Sequence, residues 1–240
     1  MTRVFAMLAA VAMVSASAVL GADDDVKQRI SEQLQAISPD LEPEAIEPSP
    51  LPGIYQIMVQ GQVVFISEDG RYLIQGDIMD LETRQSVGDS MENDRRRQQI
   101  EQHGEENMIV YTPEGETRHT VTVFTDIDCP YCRQMHQQLD QYLERGIAVR
   151  YIQMPRAGVD SDSYHKAVSV WCADDRHAAM DEAKDGVTLK QGECDNPVSE
   201  QLDLARSLGV NATPTFVGED GSVYRGLVPP DDLLAQLEAE

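Results

Sequence analysis

The first third of the chain alternates apolar and polar residues in a pattern typical of a small domain. Over residues 23–38, apolar side chains recur at near-helical spacing behind an acidic first turn, which predicts an amphipathic helix. These apolar positions are Val26, Ile30, Leu34 and Ile37. The following residues 39–52 contain five prolines and are expected to lack regular structure.

Three short β-rich segments follow, at residues 54–59, 63–67 and 72–75. Gly61 and the Glu-Asp-Gly sequence at 68–70 separate them, which predicts an antiparallel meander. A three-stranded sheet with one helix is marginally stable alone and leaves its edge strands open. Pairing of edges between two chains would remedy both, so residues 23–85 are expected to form a dimerisation domain.

Residues 89–107 are strongly polar, with Met91 and Ile100 as the only large apolar side chains. A helix that is polar nearly all round is typical of a solvent-exposed connector between domains. A disordered linker is the alternative for such a composition. We expect a linker helix within residues 86–108.

From residue 108 the pattern becomes α/β. Buried strands are predicted at 121–124 and 147–154, with one helix at 129–145 between them. Two or three short helices are predicted within 163–208, then a hairpin of 215–217 with 223–227 and a helix that begins at Pro230. This order is that of a thioredoxin fold, so the fold class is α+β, with a thioredoxin-like domain with a helical insertion at residues 109–240.

The N-terminus predicts export. Arg3 precedes an apolar stretch at 4–20 that ends in small residues, as in a secretory signal peptide, here assigned to residues 1–22. A membrane anchor is disfavoured because the stretch is short and rich in alanine. The mature protein is therefore expected to be exported, where disulfides persist.

The net charge restricts the class of partner. The chain carries a formal charge of −23, and removal of Arg3 with the signal peptide makes it −24. A nucleic-acid-binding surface would need a basic face, so no nucleic-acid partner is expected. The acidity is spread along the chain and favours solubility.

The sequence Cys129-Pro130-Tyr131-Cys132 lies between a predicted strand and a predicted helix. At a helix start, unpaired backbone N–H groups and the helix dipole favour the thiolate of the first cysteine. Cys129 is therefore the expected nucleophile, and Cys132 the thiol that resolves a mixed disulfide. Asp126 would oppose thiolate formation if its side chain faced the sulfur, as would Asp128.

A zinc half-site or an inert disulfide is the alternative interpretation of this motif. Zinc would require a second pair of ligands at suitable spacing, and His136 is expected on the helix surface instead. No metal and no cofactor are predicted. The strand before the motif and the helix after it favour redox chemistry.

Two other residue pairs bear on this chemistry. Thr213-Pro214 precedes a β-branched segment, where a cis peptide would turn the backbone beside the cysteines and present an edge to an extended substrate. Cys172 and Cys194 are 22 positions apart. We interpret them as a structural disulfide worth on the order of 3 kcal/mol, since nothing indicates a lowered pKa, as a second catalytic pair would need.

Several segments together resemble the DsbC/DsbG family of periplasmic thiol:disulfide interchange proteins. The similar segments are Met108-Ile109-Val110-Tyr111, Val149-Arg150-Tyr151, Trp171-Cys172-Ala173 and residues 66–76, 121–132, 158–162 and 209–214. They cover nearly the whole mature chain. The resemblance implies a V-shaped homodimer joined through the N-terminal domains, with a cleft that binds misfolded exported proteins.

The resemblance also implies roles for individual residues. Cys129 and Cys132 match the family's catalytic pair, which a membrane reductase of the DsbD type keeps reduced. Thr213 and Pro214 match its cis-proline loop, and Cys172 and Cys194 its structural bridge. Pro130 and Tyr131, between the catalytic cysteines, are expected to contact substrate.

The expected function is therefore that of a disulfide isomerase. Pro130 departs from the Gly-Tyr that DsbC usually carries and agrees with DsbG, which is associated with reducing sulfenylated cysteines. DsbG is not expected to have a second cysteine pair, and this chain has one. A reductase of sulfenylated cysteines and a non-redox holdase chaperone remain the alternatives.

Overall fold

The computed structural model describes residues 16–59 and 61–239, with side chains from residue 23 onward. Residues 1–15 of the predicted signal peptide, residues 1–22, lie outside these described residues. The chain divides into two compact units, one ending at Gly88 and the other beginning at Asp89. Within the described residues, no helix is both long enough and apolar enough to cross a membrane.

The N-terminal unit packs one helix, α1 (Ala16–Ile37), on a four-stranded antiparallel sheet. The strands are β1 (Ala45–Pro48), β2 (Ile54–Val59), β3 (Gln62–Ser67) and β4 (Leu73–Ile74), in that order across the sheet. The predicted helical spacing places Ile30 and Leu34 in the core, against Ile57 and Ile66 of the sheet. Burial of this face is what stabilises the unit.

Strand β1 corrects the sequence prediction, which took the proline-rich residues 39–52 as irregular. Ala45 pairs with Met58, and Pro48 pairs with Tyr55 at the other end of the strand. Proline lacks an N–H group and is tolerated only where no ladder bond is required, such as on an edge strand. Since β1 is an edge strand of this sheet, Pro48 can close it without breaking the pairing.

The C-terminal unit is built on a mixed five-stranded sheet. The strands are β5 (Ile109–Tyr111), β6 (His119–Thr125), β7 (Ile147–Gln153), β8 (Thr215–Val217) and β9 (Val223–Arg225). Their order is β5-β7-β6-β8-β9, and only β6 and β7 are parallel. Alternate residues of β7 point to opposite faces: Tyr151 belongs to one core and Ile152 to the other.

The helices of this unit lie between and after these strands. They are α2 (Asp89–His103), α3 (Pro130–His136), α4 (Leu139–Glu144), α5 (Asp162–Trp171), α6 (Arg176–Lys184), α7 (Val198–Ser207) and α8 (Pro230–Leu237). The short helices predicted within 163–208 are therefore three, and the last helix begins at Pro230 as predicted. The strand and helix order is that of a thioredoxin-like domain, which confirms the α+β class.

The single helix predicted over residues 129–145 is wrong. The N–H of Gln138 bonds the carbonyl oxygen of Met135, an i→i+3 turn that ends the regular α-helical pattern. Helix α4 then begins at Leu139 and places Tyr142 in the core, where the phenol donates to the carbonyl oxygen of Val228 at 2.5 Å.

One face of helix α2 packs on other parts of the C-terminal unit, to which the helix belongs. Met91 and Ile100 are buried. The Asn93 amide donates to the hydroxyl of Ser222 at 3.2 Å, and the Arg96 guanidinium donates to the carbonyl oxygen of Gly221 at 3.2 Å. These two buried apolar side chains and the polar contacts hold α2 against the unit, although its other side chains are polar enough for a helix surrounded by solvent.

Candidate active site

The two cysteines of the motif lie at the start of α3, which follows β6 along the chain. Cys129 is the last extended residue, with φ −79° and ψ 121°, and Pro130 is the first helical residue. Proline suits that position because its fixed φ is helical and no N–H partner is needed there. Cys132 falls in the first turn, and both cysteines are free thiols, 1% and 0% exposed respectively.

The surroundings of the Cys129 sulfur favour its thiolate. Burial alone would raise the pKa of Cys129. The nearby side chains of Thr213 and Cys132 and the backbone N–H groups of Cys132 and Tyr131 outweigh burial, so the pKa of Cys129 is lowered from its ordinary value. These N–H groups belong to the first turn of α3 and have no partner within the helix.

Thr213 and Pro214 reach the cysteines from the loop before β8. Their peptide bond is cis, and the Cys129 thiol donates to the carbonyl oxygen of Thr213, with 3.3 Å between sulfur and oxygen. Both residues are buried, whereas the two preceding residues, Asn211 and Ala212, are exposed. The outer surface of this loop is therefore formed by Asn211 and Ala212.

The acidic residues before the motif do not face the Cys129 sulfur as free charges. One carboxylate oxygen of Asp126 accepts from the backbone N–H and the Nε of Arg156, at 3.0 and 3.2 Å. Asp128 pairs with Lys166 and Arg133, at 2.7 and 3.1 Å. Each carboxylate is compensated by a cation, so the predicted opposition to the thiolate is weakened.

Cys132 has the opposite electrostatic character. Burial raises its pKa, and the charge of Lys184 together with hydrogen bonds involving Asp126, Thr125 and Thr213 only partly offsets that effect. A nucleophile with a lowered pKa beside a second thiol with a raised pKa is the arrangement that stepwise disulfide exchange requires.

Lys184 was missed by the sequence reasoning. It ends α6 and is 1% exposed, with its ammonium group held by Thr125 and by the backbone of Asp126. The available signal was weak: Lys184 follows the buried Met180 at i+4, which puts it on the apolar face of the helix. A lysine at such a position more often lays its apolar stem along the protein surface and keeps its ammonium group in water.

The other residues of the motif differ in exposure. Tyr131 is 62% exposed, and Pro130 is also exposed, so both can contact a second molecule. His136 is not on the helix surface as predicted. Its side chain is only 8% exposed and contacts Asp181 and Tyr151, at 3.0 and 3.1 Å.

Cys172 and Cys194 form a disulfide with a Cα–Cα distance of 5.7 Å. It joins the end of α5 to the loop before α7. Within residues 16–59 and 61–239, no group of three or more His, Cys, Asp or Glu side chains is arranged to hold a metal ion.

Two protein families match this chain. The thioredoxin-like domain family matches residues 104–240, and the N-terminal domain family of disulfide bond isomerase proteins matches residues 16–89. These two matches cover both structural units.

Individual relatives agree with the family matches. The thiol:disulfide interchange protein DsbC of Escherichia coli (strain K12) is 35% identical over 188 residues, 78% of each chain. The DsbC of Haemophilus influenzae is 34% identical over 238 residues, 99% of this chain and 98% of the relative. A crystal structure of a disulfide interchange protein from Neisseria gonorrhoeae, 29% identical, superposes with a TM-score of 0.50 and covers 56% of this chain and 98% of that one.

Proposed function

The chain belongs to the DsbC family of thiol:disulfide interchange proteins, and we propose that it isomerises and reduces non-native disulfides of exported proteins in the periplasm. The observation that carries the proposal is the pairing of unlike thiols. The pKa of Cys129 is lowered and that of Cys132 is raised, although only two residues separate them.

The reaction begins with the Cys129 thiolate. It attacks one sulfur of a client disulfide, the client S–S bond breaks, and the other client sulfur leaves as a thiolate. The released thiolate can then attack a different disulfide within the client, and the client thiolate freed by that attack displaces Cys129 from the mixed disulfide. Cys129 leaves as a thiolate again, and the isomerisation is complete. Alternatively, Cys132 attacks the Cys129 sulfur and the client leaves as a thiolate. The client disulfide has then been reduced by two electrons, and Cys129 and Cys132 are joined in a disulfide.

Client contact is assigned to residues around the thiol. Pro130 and Tyr131 present exposed side chains beside Cys129. Thr213 and Pro214 would contribute through the loop before β8. The carbonyl oxygen of Thr213 in this loop lies 3.3 Å from the Cys129 sulfur. An extended client segment that crosses this loop would bring its disulfide to the thiol, and main-chain recognition of this kind tolerates many sequences.

A homodimer formed through the N-terminal unit is part of the proposal. Strand β4 is an edge of its sheet, and large apolar side chains in it and on both sides of it along the chain are exposed. They are Tyr72, Leu73, Ile74, Met79 and Leu81, the last of them 85% exposed. Exposed apolar side chains beside an open sheet edge favour pairing with a second chain.

The remaining assignments of the proposal concern domains and partners. Residues 1–22 act as the signal peptide, 23–85 as the dimerisation domain, 86–108 as the linker and 109–240 as the catalytic domain. Cys172–Cys194 is the structural disulfide. A membrane reductase of the DsbD type restores the dithiol after each reductive cycle.

Refolding of a client protein with scrambled disulfides tests the catalytic proposal. The reduced protein should restore client activity, and Cys129→Ser should abolish the effect, because the other free thiol, Cys132, is buried and has a raised pKa. A variant with both Cys172→Ala and Cys194→Ala is the control, since it loses two sulfurs that are already joined in a disulfide and are not expected to react. If Cys129→Ser restored client activity as well as the unaltered protein, the assigned nucleophile would be wrong.

One observation favours a second function. Pro130 occupies the first turn of α3 directly beside the nucleophile, and the same Pro-Tyr pair occurs in DsbG. Turnover of a sulfenylated protein thiol faster than of a scrambled disulfide would identify a reductase of that type. Suppression of client aggregation by Cys129→Ser, without restored disulfides, would identify a binding function separate from the redox reaction.

A further inference from the structure

A groove of about 270 Å³ lies beside the cysteine motif in the C-terminal unit. Ile127 and Arg133, on either side of the motif along the chain, line it together with Lys166 of α5 and residues 186–189 after α6. Ile127 and Ala183 are almost fully buried and form its apolar floor. The volume is slightly below the range of small-molecule sites, about 300–1,000 Å³, and suits one or two side chains of a peptide.

Val187 forms an apolar rim of the groove because of the way in which α6 ends. Gly186 has a φ of +84° and donates its N–H to the carbonyl oxygen of Ala183 at 3.1 Å. The N–H of Val187 donates to the carbonyl oxygen of Glu182 at 2.9 Å. These two bonds define a Schellman motif, in which the residue at the place of Val187 commonly packs on an apolar side chain five or six positions earlier. Those positions are Glu182 and Asp181 here, and Val187 is 53% exposed, so its apolar surface is available to another molecule.

Arg133 supplies a hydrogen-bond donor at the same place. Its Nε donates to the carbonyl oxygen of Ile127 at 2.9 Å and its Nη2 to the carboxylate of Asp128 at 3.1 Å. Among the described residues, none accepts a hydrogen bond from its Nη1. A Cβ atom at Gly186 would lie 3.8 Å from this Nη1, which places the nitrogen next to the rim residue Val187. Because the guanidinium is planar and two of its nitrogens are anchored, the third is available to an acceptor such as a carboxylate.

The groove differs in charge from the rest of the protein. The chain has 42 Asp and Glu residues against 19 Lys and Arg residues, yet none of the described residues that line the groove is acidic. Arg133 and Lys166 both line it and share one carboxylate, that of Asp128. These contacts leave one positive charge uncompensated, which favours an anionic group in the groove.

We propose that this groove binds a client segment in which an apolar residue adjoins an acidic one, close to the client half-cystine that reacts with Cys129. The apolar side chain lies on Val187 and the apolar floor, and the client carboxylate accepts a hydrogen bond from Nη1 of Arg133. The inference rests on the proposed function, since it presupposes that Cys129 attacks client disulfides. It adds a preference among clients to the main-chain recognition assigned to the loop before β8.

A client segment bonded to Cys129 can reach the groove. Ile127 lies two positions before Cys129, so their Cα atoms are at most about 7 Å apart. An extended chain covers about 3.3 Å per residue, so a client residue roughly three positions from the reacting half-cystine can span this distance.

Short synthetic peptides test the groove. Each carries one cysteine joined by a disulfide to an aromatic thiol whose thiolate is coloured, and flexible glycine spacers connect this cysteine on both sides to a test pair. The pair is leucine with glutamate, leucine with glutamine, or glycine with glutamate. The Cys129 thiolate attacks the peptide sulfur, the disulfide of the peptide breaks, and the aromatic thiolate leaves because its low pKa makes it the better leaving group. The release rate at low peptide concentration measures how well each peptide is recognised.

Two substitutions address the two contacts, and each has a matched control. Arg133→Gln removes the guanidinium, and Arg206→Gln is its control, because Arg206 also pairs with an aspartate but does not line the groove. Val187→Ser removes the apolar rim, and Val159→Ser is its control, because Val159 is 48% exposed and does not line the groove. Circular dichroism establishes that each variant folds. The readout is the ratio of two peptide rates, because a substitution that merely disturbs the start of α3 changes both rates alike.

With the unaltered protein, the leucine–glutamate peptide should react about threefold to tenfold faster than the leucine–glutamine peptide, the equivalent of one hydrogen bond. It should exceed the glycine–glutamate peptide by a similar factor, because the leucine is partly buried. The negative net charge of the protein repels an acidic peptide, so the first preference runs against the overall charge. Arg133→Gln should bring the glutamate-to-glutamine ratio close to one, and Val187→Ser should lower the leucine-to-glycine ratio. The two controls should keep both ratios.

Equal rates for the three peptides with the unaltered protein would overturn the groove as a binding site. The proposed function would stand in that case, because the coloured thiolate would still be released. Absence of release from every peptide would instead contradict the proposed function. Ratios that fall as far in Arg206→Gln or Val159→Ser would trace the preference to the general charge or apolarity of the surface and would overturn the groove. Ratios unchanged in folded Arg133→Gln and Val187→Ser would do so as well.

Discussion

The thiol of Cys129 donates a hydrogen bond to the backbone carbonyl oxygen of Thr213, with 3.3 Å between the two atoms. The same threonine has a buried hydroxyl that lacks a hydrogen-bond partner of good geometry among the described residues, yet it lies close enough to both sulfurs to lower the pKa of either thiol. The carbonyl oxygen thus holds the protonated thiol, and the hydroxyl is available to donate to a thiolate. One residue serves both protonation states.

Thr213→Val tests the role of that hydroxyl. Loss of a donor to the thiolate should raise the pKa of Cys129 and slow its alkylation at neutral pH by roughly threefold to tenfold, the equivalent of one hydrogen bond. Thr213→Ser keeps the hydroxyl and should behave like the unaltered protein. Equal alkylation rates in the valine and serine variants would mean that the hydroxyl does not stabilise the thiolate.

The pH dependence of alkylation should distinguish the two cysteines. Only a thiolate reacts with an alkylating reagent, so each rate rises with pH and levels off above the pKa of its thiol. Backbone and side-chain donors lower the pKa of Cys129, while burial raises that of Cys132. At acidic to neutral pH, mass spectrometry should therefore find the alkyl group on Cys129. Preferential labelling of Cys132 would contradict the assignment of the nucleophile.

Removal of the second cysteine pair should affect stability and leave the redox reaction intact. Cys172 and Cys194 close a loop across 22 positions, so replacing both by alanine should lower the free energy of unfolding by about 3 kcal/mol. Urea unfolding under non-reducing conditions measures this loss. The folded variant should still refold a scrambled client, and loss of that activity would indicate that the second pair takes part in the exchange.

Gly221 should be required for the docking of α2. A Cβ atom at this position would lie 2.0 Å from the carbonyl oxygen of Asn93, within α2. Gly221→Ala should therefore destabilise the protein by about 2 kcal/mol more than the backbone strain alone, as overpacking does. Hydrogen exchange of the α2 amides should also accelerate.

Gly226→Ala is the matched control for this prediction. Its φ of +80° is close to the +91° of Gly221, so both substitutions carry similar backbone strain, but a Cβ at Gly226 meets no atom within 4 Å. Equal unfolding free energies and equal exchange rates in the two variants would show that the contact with Asn93 does not hold α2.

The sequence by itself determined the features that depend on neighbouring residues. The Cys129–Cys132 spacing, the strand before it and the helix start at Pro130 are local, and so is the apolar spacing that places Ile30 and Leu34 in a core. Each follows from backbone preferences or from helical periodicity within a few residues. The proline-rich strand β1 was missed because its pairing depends on its place at the edge of the sheet.

Only the tertiary structure decided the electrostatics around the thiols. Lys184 and Thr125 are 59 residues apart, and the Cys129 thiol and the Thr213 carbonyl oxygen are 84 apart. Arg156 compensates Asp126 from 30 residues away. Such contacts are set by how helices and strands pack, and sequence spacing does not encode the direction of a side chain within that packing. The motif therefore predicted which sulfurs react, and the fold determined which groups surround them.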